Sequence, residues 1–331
     1  MKNFYKVLCI AALFFSGLFI CLQVNAPQKS GKLRPYLYHV QHGTMRQKYR
    51  AVQKIYQLRM CAQPFVEEIA SILLEAKDPL IKSFLLDTLA HCDYNNRHLY
   101  SFLNDEHGDV RASAIKALVN ISDVSLSIFD LAMEDHDPFV RRVATSCLTK
   151  IAIDENLCVR ALLTKCDDED DEVRCAAIEA LSKYKNCTRI VRKLRVVALN
   201  DSGRARYIAI KALGNFPGQV SFIATFLRYS DTRNYALEGL AVISDSSKES
   251  ALHVYRQLKN SEYIAQIIML NTTPNHYLLQ IMIKSINCEQ LTSDVMKILQ
   301  YKKRYSLLYI EHLLEKDGVS PCLEYIQQKL Q

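Results

Sequence analysis

The side chains best suited to chemistry in this 331-residue chain are nine histidines, eleven cysteines and a run of six acids, DDEDDE, at 167–172. None falls into a catalytic pattern. The chain lacks a phosphate-binding P-loop, a G-x-G-x-x-G turn, a G-x-S-x-G nucleophile elbow and an H-E-x-x-H zinc helix. C-x-x-C is also absent, so a structural zinc site of common spacing is not expected. His39 and His42 have i, i+3 spacing but sit in a stretch that reads as a solvated loop. His91, His98 and His107 have room to converge across neighbouring helices, although their spacing does not require it. The expectation is therefore a protein without catalytic residues, cofactor or metal.

Charge offers more than nucleophiles do. The net charge is +7, yet residues 1–66 hold ten Lys/Arg and no Asp/Glu, so the rest of the chain is slightly acidic. A nucleic-acid binder usually spreads basic charge over its body, which this chain does not do. A local exception is 183–211, where nine basic residues share the stretch with the single acid Asp201. Within it Arg189, Arg192 and Lys193 share a helical face, with Arg195 close by. This patch reads either as a docking site for an acidic partner or lipid headgroups, or as a solvated face with internal pairing. Three N-x-S/T sequons, at Asn120, Asn186 and Asn271, matter only if the chain is exported to a glycosylating compartment.

The N-terminus supplies a targeting signal. Lys2 and Lys6 precede an uncharged stretch, 7–28, with an apolar heart of VLCIAALFFSGLFICL. Such a segment is an export signal or a signal anchor, with membrane association through residues 7–24. Val24-Asn25-Ala26 fits a cleavage site, Pro27 disfavours cleavage there, and Cys21 offers a poor lipidation site. A buried helix is the remaining reading. The expected location is the cell envelope, with the mature protein exported or anchored. Nine cysteines lie beyond this segment; an odd number in a large chain reads as buried thiols acting as small hydrophobes. Pairing among Cys158, Cys166, Cys175 and Cys187 stays open.

What must position these residues is helical. With 9 Gly, 8 Pro and no Trp, the composition disfavours turn-rich β folds and provides no glycine-rich phosphate loop. The chain also repeats itself. Anchored on a basic residue, six segments align at Lys82, Arg111, Arg141, Arg174, Arg206 and Arg233, spaced 29, 30, 33, 32 and 27 apart. Three residues after the anchors come Leu85, Ala114, Ala144, Ala177, Ala209 and Ala236. Seven after come Leu89, Leu118, Leu148, Leu181, Leu213 and Leu240, and position +6 is small throughout. Positions 0, +3, +4 and +7 share one helical face. Asp78-Pro79 and Asp137-Pro138 supply a capping side chain and a helix-starting proline. Second apolar stretches alternate with these helices, as at 99–105, 127–135, 155–166 and 191–201. Each repeat is a helix pair of about thirty residues that must stack on its neighbours to bury its stripe.

The D-P-x-V-R-x-x-A-x-x-x-L pattern resembles HEAT repeats, especially the short bacterial kind also seen in bilin-lyase proteins. The resemblance covers 78–243 and implies an all-α, right-handed α-solenoid. It also implies that the anchor helices line the concave face and that Asp and Arg of successive repeats form a ladder through Arg111, Arg141, Arg174, Arg206 and Arg233. Arg206 lacks an Asp just before it, which weakens its rung. HEAT-like metal oxygenases use His-Glu pairs; here the order is reversed in Glu106-His107 and Glu311-His312.

The expected organisation is a targeting segment at 1–26, a linker at 27–44, capping helices at 45–77, repeats at 78–247 and degenerate repeats or a cap at 248–331. Positions +1 and +5 should point away from the core, giving a mixed polar row. Its candidates for protein binding are Lys116, Arg142, Glu179, Tyr207, Lys211, Asn234, Tyr235 and Glu238, with Tyr207, Arg142 and Tyr235 as energetic centres. The expected function is a non-catalytic scaffold for a protein partner. The alternatives are a bilin-lyase-like enzyme, or a nucleic-acid or anion binder using 183–211. A small-molecule ligand is not expected.

Overall fold

Each anchor segment starts a helix for a local reason that its sequence makes plain. Asp78 accepts from the Ile81 amide at 3.0 Å, Asp137 from Phe139 at 2.9 Å, and Asp170 from Glu172 at 2.9 Å and Val173 at 3.1 Å. These carboxylates satisfy first-turn amides that have no partner within the helix. Pro79 and Pro138 occupy the first helical turn, where no amide is needed. The computed structural model describes residues 32–331 except 93, 95–96, 120–125, 152–153, 186, 217, 259–260, 272–276, 287–290, 292 and 319. The targeting segment, Asn120 and Asn186 lie outside the described residues.

Among the described residues every regular element is a helix. The anchor segments form α4 (Pro79–Leu89), α5 (Gly108–Leu118), α7 (Pro138–Cys147), α9 (Asp171–Leu181), α11 (Arg204–Ala212) and α13 (Arg233–Ser246). Each packs side by side on the next. The row is extended before α4 by α2 (Met45–Gln57), and after α13 by α15 (Ser261–Leu270), α17 (Ser293–Tyr301) and α19 (Pro321–Leu330). A second layer covers it: α3 (Val66–Glu75), a 3-10 turn at Arg97–Asn104, α6 (Leu126–Met133), α8 (Glu155–Lys165) and α10 (Thr188–Asn200). Then follow α12 (Val220–Ala224), α14 (Lys248–Leu258), α16 (Tyr277–Ser285) and α18 (Lys303–Asp317). This is an α-solenoid, and the C-terminal 248–331 continues both layers.

The core lies between the layers. The alanines at +3 from Ala114 to Ala236 and the leucines at +7 from Leu118 to Leu240 are all 0% exposed. Small side chains at +3 let neighbouring helices approach, and the leucines fill the space behind them. Truncating one such leucine to alanine costs about 2–5 kcal/mol. The backbones approach closely at Gly214 and Gly239, where a side-chain carbon on Gly214 would collide with the Gly239 backbone.

Two expectations need correction. Residues 27–44 are not a plain linker, because Arg34–His42 form α1, packed on α2. Leu33, Leu37 and Val40 are buried, an i, i+4, i+7 stripe too short to stand out beside the exposed Tyr38. Positions +1 do not all face outward either: Ala112 is 0% and Cys175 4% exposed. Each sits in a helix flanked on both sides by its row neighbours, and a side chain that small does not reach past them.

Candidate interaction surface

The basic anchors meet acids of the following repeat. Arg111 donates through Nε and Nη2 to both carboxylate oxygens of Asp135, each at 2.8 Å, and through Nη1 to the Asp105 and Glu106 carbonyls. Arg141 repeats this with Asp168 at 3.1 and 2.9 Å and the carbonyls of Asp135 and His136. Arg174 repeats it with Asp201 at 2.8 and 3.3 Å and the carbonyls of Asp168 and Glu169. Lys82 makes the simpler rung to Asp105 at 2.7 Å. Each of these aspartates also accepts the amide two residues further on, which folds its own turn. Burial by itself raises these four carboxyls. The cationic hydrogen bonds, the backbone amides and the nearby positive charge outweigh it and hold all four below the ordinary aspartate value.

The ladder weakens at its C-terminal end. The turn from Asp201 to Arg206 is one residue shorter than the turns leading to Arg111, Arg141 and Arg174. Arg206 comes only within 3.9 Å of Asp231, and its Nε is buried without a partner. Arg233 keeps only a bond to the Leu227 carbonyl at 2.9 Å.

The +5 side chains form a row across the anchor helices. Lys116 reaches back to Asp87 at 3.1 Å, and Lys211 reaches forward to Glu238 at 2.6 Å. Ser146 and Glu179, between these pairs, are exposed. Such half-exposed pairs contribute about 0–1 kcal/mol each, so they set the shape and charge of the surface more than its stability. Tyr207 and Tyr235 lie stacked, with ring centroids 4.9 Å apart and planes 18° from parallel; Asn234 beside them is exposed. Arg142 is held over the Phe139 ring at 5.1 Å. A cleft of about 160 Å³ opens in the same row between Tyr56, Asp87, His91, Lys116 and Lys150. His91 and Lys150 stand nine residues after their anchors. Extending the helical face from +5 to +9 would have found them.

The basic patch is largely engaged with the protein itself. Lys193 pairs with Asp167, and Arg195 donates to Gln219 at 2.9 Å and stacks on Phe222. Arg189 and Arg192 are exposed on α10. The acidic run is spent internally. Asp168 and Glu169 hold Arg141, Asp170 caps α9, and Glu172 holds Arg204. Asp171 accepts the Arg204 and Ala205 amides, each at 3.0 Å, capping α11 from the preceding repeat.

Cys158, Cys166, Cys175 and Cys187 are free thiols, the first three buried. Burial pushes Cys92 up to about 11 and Cys166 and Cys175 up to about 12, so these sulfurs stay protonated and inert at neutral pH. Asn271 is 2% exposed and its amide donates to Ser244, so the folded chain offers no glycan site there. His39 and His42 both lie against Tyr38 on α1, and His91 and His107 are exposed on separate turns. Among the described residues no three His, Cys, Asp or Glu groups are placed to hold a metal, and no helix is long and apolar enough to cross a membrane.

A family model for the HEAT repeat matches residues 158–184, which span most of α8 and all of α9. No curated protein matches the chain. Among solved structures, the E. coli protein YibA is similar at 17% identity, covering 74% of this chain and 95% of its own, with a TM-score of 0.41. An engineered protein is similar at 14% identity, 90% and 97% coverage and a TM-score of 0.39. Kap121p bound to Ste12p is similar at 11% identity and a TM-score of 0.48; this chain, 92% covered, spans 36% of it. The family match on α8–α9 and the same Asp–Arg turn leading into α5, α7 and α9 support a HEAT-repeat helical solenoid.

Proposed function

We propose that this protein is a non-catalytic interaction scaffold, exported or held at a membrane by its N-terminal segment, that binds a protein partner across its anchor helices. The Tyr207–Tyr235 stack carries this reading. It puts two half-buried rings from consecutive repeats together on the face where side chains of α4, α5, α7, α9, α11 and α13 line up. Tyrosine and arginine dominate the energetic centres of protein interfaces, and rings already stacked lose little freedom on binding. Around the stack lie Lys211, Glu238 and Asn234, and further along the row Glu179, Arg142 and Lys116, a polar rim of mixed sign. The ladder fixes the solenoid from α4 to the start of α11, and the close backbone packing of Gly214 on Gly239 holds α11 to α13, so the spacing of these groups is set before a partner arrives.

The reading is tested by affinity capture from native cells. Tyr207→Ala and Lys116→Glu should each weaken recovery of the partner while leaving the helical circular dichroism spectrum unchanged. Full recovery with every anchor-face substitution would place binding elsewhere. Intact mass from separated cell fractions tests the location: a soluble species beginning after Ala26 means export, and a membrane-bound full-length species means a tether.

A further inference from the structure

The N-terminal edge of the solenoid differs from the rest of it in charge. Between residues 32 and 59 there are seven Lys/Arg, and the first acid of the chain is Glu67. In the repeats, cations meet carboxylates rung after rung. In the α1–α2 hairpin, no Lys or Arg is ion-paired among the described residues. A groove of about 480 Å³ runs between its two helices, lined by Tyr36, His39, Gln47, Arg50, Lys54 and Gln57 among others. No carboxylate lines it.

The polar groups in this groove are arranged to donate. Gln47 spends its side-chain oxygen on Thr44, accepting from the Thr44 amide at 2.8 Å and hydroxyl at 2.9 Å. Gln57 spends its oxygen on the Lys54 ammonium at 2.9 Å. What both glutamines can still offer is an NH2 group. Arg50 is exposed and adds a guanidinium suited to two oxygens at once. The ligand that matches is an anion rich in oxygen acceptors, and phosphate fits best. The sequence upstream says where that phosphate sits. The hairpin begins a few residues after the uncharged stretch 7–28, and Tyr36 lines the groove itself. Basic residues next to an apolar segment, with tyrosine among them, are the pattern of a membrane interface.

We infer that the α1–α2 groove is a binding site for the headgroup of an anionic phospholipid, so that the solenoid stands on the membrane by its N-terminal edge. The inference rests on the tethered form of the proposed function.

The test is co-sedimentation of the full chain with vesicles of phosphatidylcholine alone and with vesicles containing phosphatidylglycerol, at low salt. The anionic vesicles should bind more tightly. Arg50→Gln with Lys54→Gln should weaken that binding by about 30-fold, from roughly fivefold for each cation at the surface. Binding to neutral vesicles, which reports the apolar segment, should not change. Arg50→Lys with Lys54→Arg should keep the preference. Arg189→Gln with Arg192→Gln, on the distant α10, should leave it intact. Equal binding to both vesicle types, or a preference indifferent to Arg50 and Lys54, would overturn the groove while sparing the tether. Failure to bind either vesicle would overturn both. Tight binding of a single-stranded oligonucleotide or of inorganic phosphate, dependent on Arg50 and Lys54 and without a vesicle preference, would also overturn it.

Discussion

Replacing Arg141 with methionine tests what the ladder is worth. Its guanidinium makes five hydrogen bonds: two to Asp168, one to Glu169 and two to the carbonyls of Asp135 and His136. The side chain is 7% exposed and that of Asp168 5%. Methionine keeps most of the apolar stem and removes the charge. Asp168 is then left buried with the Asp170 amide and with Lys165, 3.8 Å away. Breaking a buried pair by removing one partner costs about 3–5 kcal/mol. Residual help from Lys165 sets the expectation at the lower end, about 3 kcal/mol. Arg206 occupies the same place in its repeat but has one contact at 3.9 Å and a buried Nε without a partner. Arg206→Met removes an exposed pair worth about 0–1 kcal/mol and relieves an unsatisfied donor costing about 1–3 kcal/mol, so the net change is neutral to stabilising. Solenoids unfold in neighbouring units, so the assay is amide hydrogen exchange read helix by helix. Arg141→Met should lower protection of α7 and α9 by about 150-fold, at 1.36 kcal/mol per tenfold. Arg206→Met should leave α11 as protected as in wild type or more so. Equal losses in the two variants would refute the reasoning.

Other outcomes follow from the same geometry. Asp105, Asp135, Asp168 and Asp201 have folded-state values below their unfolded ones. Their contribution is therefore complete above the unfolded value of about 3.9 and is lost as pH falls from there through the folded values. Urea midpoints should drop steeply on acidification below about pH 4–5, and Asp168→Asn should flatten that drop. Among the described cysteines, alkylation of the native protein at neutral pH should spare Cys92, Cys166 and Cys175 and reach the half-buried Cys61 and Cys187 before them, as peptide mass mapping would show. Gly214→Ala should cost about 1–3 kcal/mol in thermal or urea unfolding, because the new carbon meets the Gly239 backbone, which has no flexible end to move aside.

Most of the architecture was legible because the repeat is short, regular and built on few residue types. Alanine at +3 and leucine at +7 recur at fixed spacing, and their burial follows from helical periodicity alone. The ladder came through the family resemblance, since its rungs join residues 23 to 27 apart in sequence, such as Lys82 and Asp105 or Arg174 and Asp201. The helix α1 was not legible, because three apolar residues make too brief a stripe. The stacking of Tyr207 on Tyr235 was not legible either. The two rings sit at +1 and +2 in their repeats, and only the packing of α11 on α13 brings them face to face. The internal pairing of DDEDDE depends on partners up to 34 residues away, so the acids read as a knob when most of them are struts.

The central claim is that the anchor face is where the partner binds, and site-specific photo-crosslinking in cells tests it most directly. A photoreactive residue would be placed singly at Ser146, Glu179 and Asn234 on the anchor helices, and at Leu131, Leu157 and Arg189 on the second layer; all six are exposed. The account predicts a discrete adduct of one mass from the anchor positions alone, lost when Tyr207→Ala is combined with them. Adducts confined to the second layer, or anchor adducts indifferent to Tyr207, would contradict it.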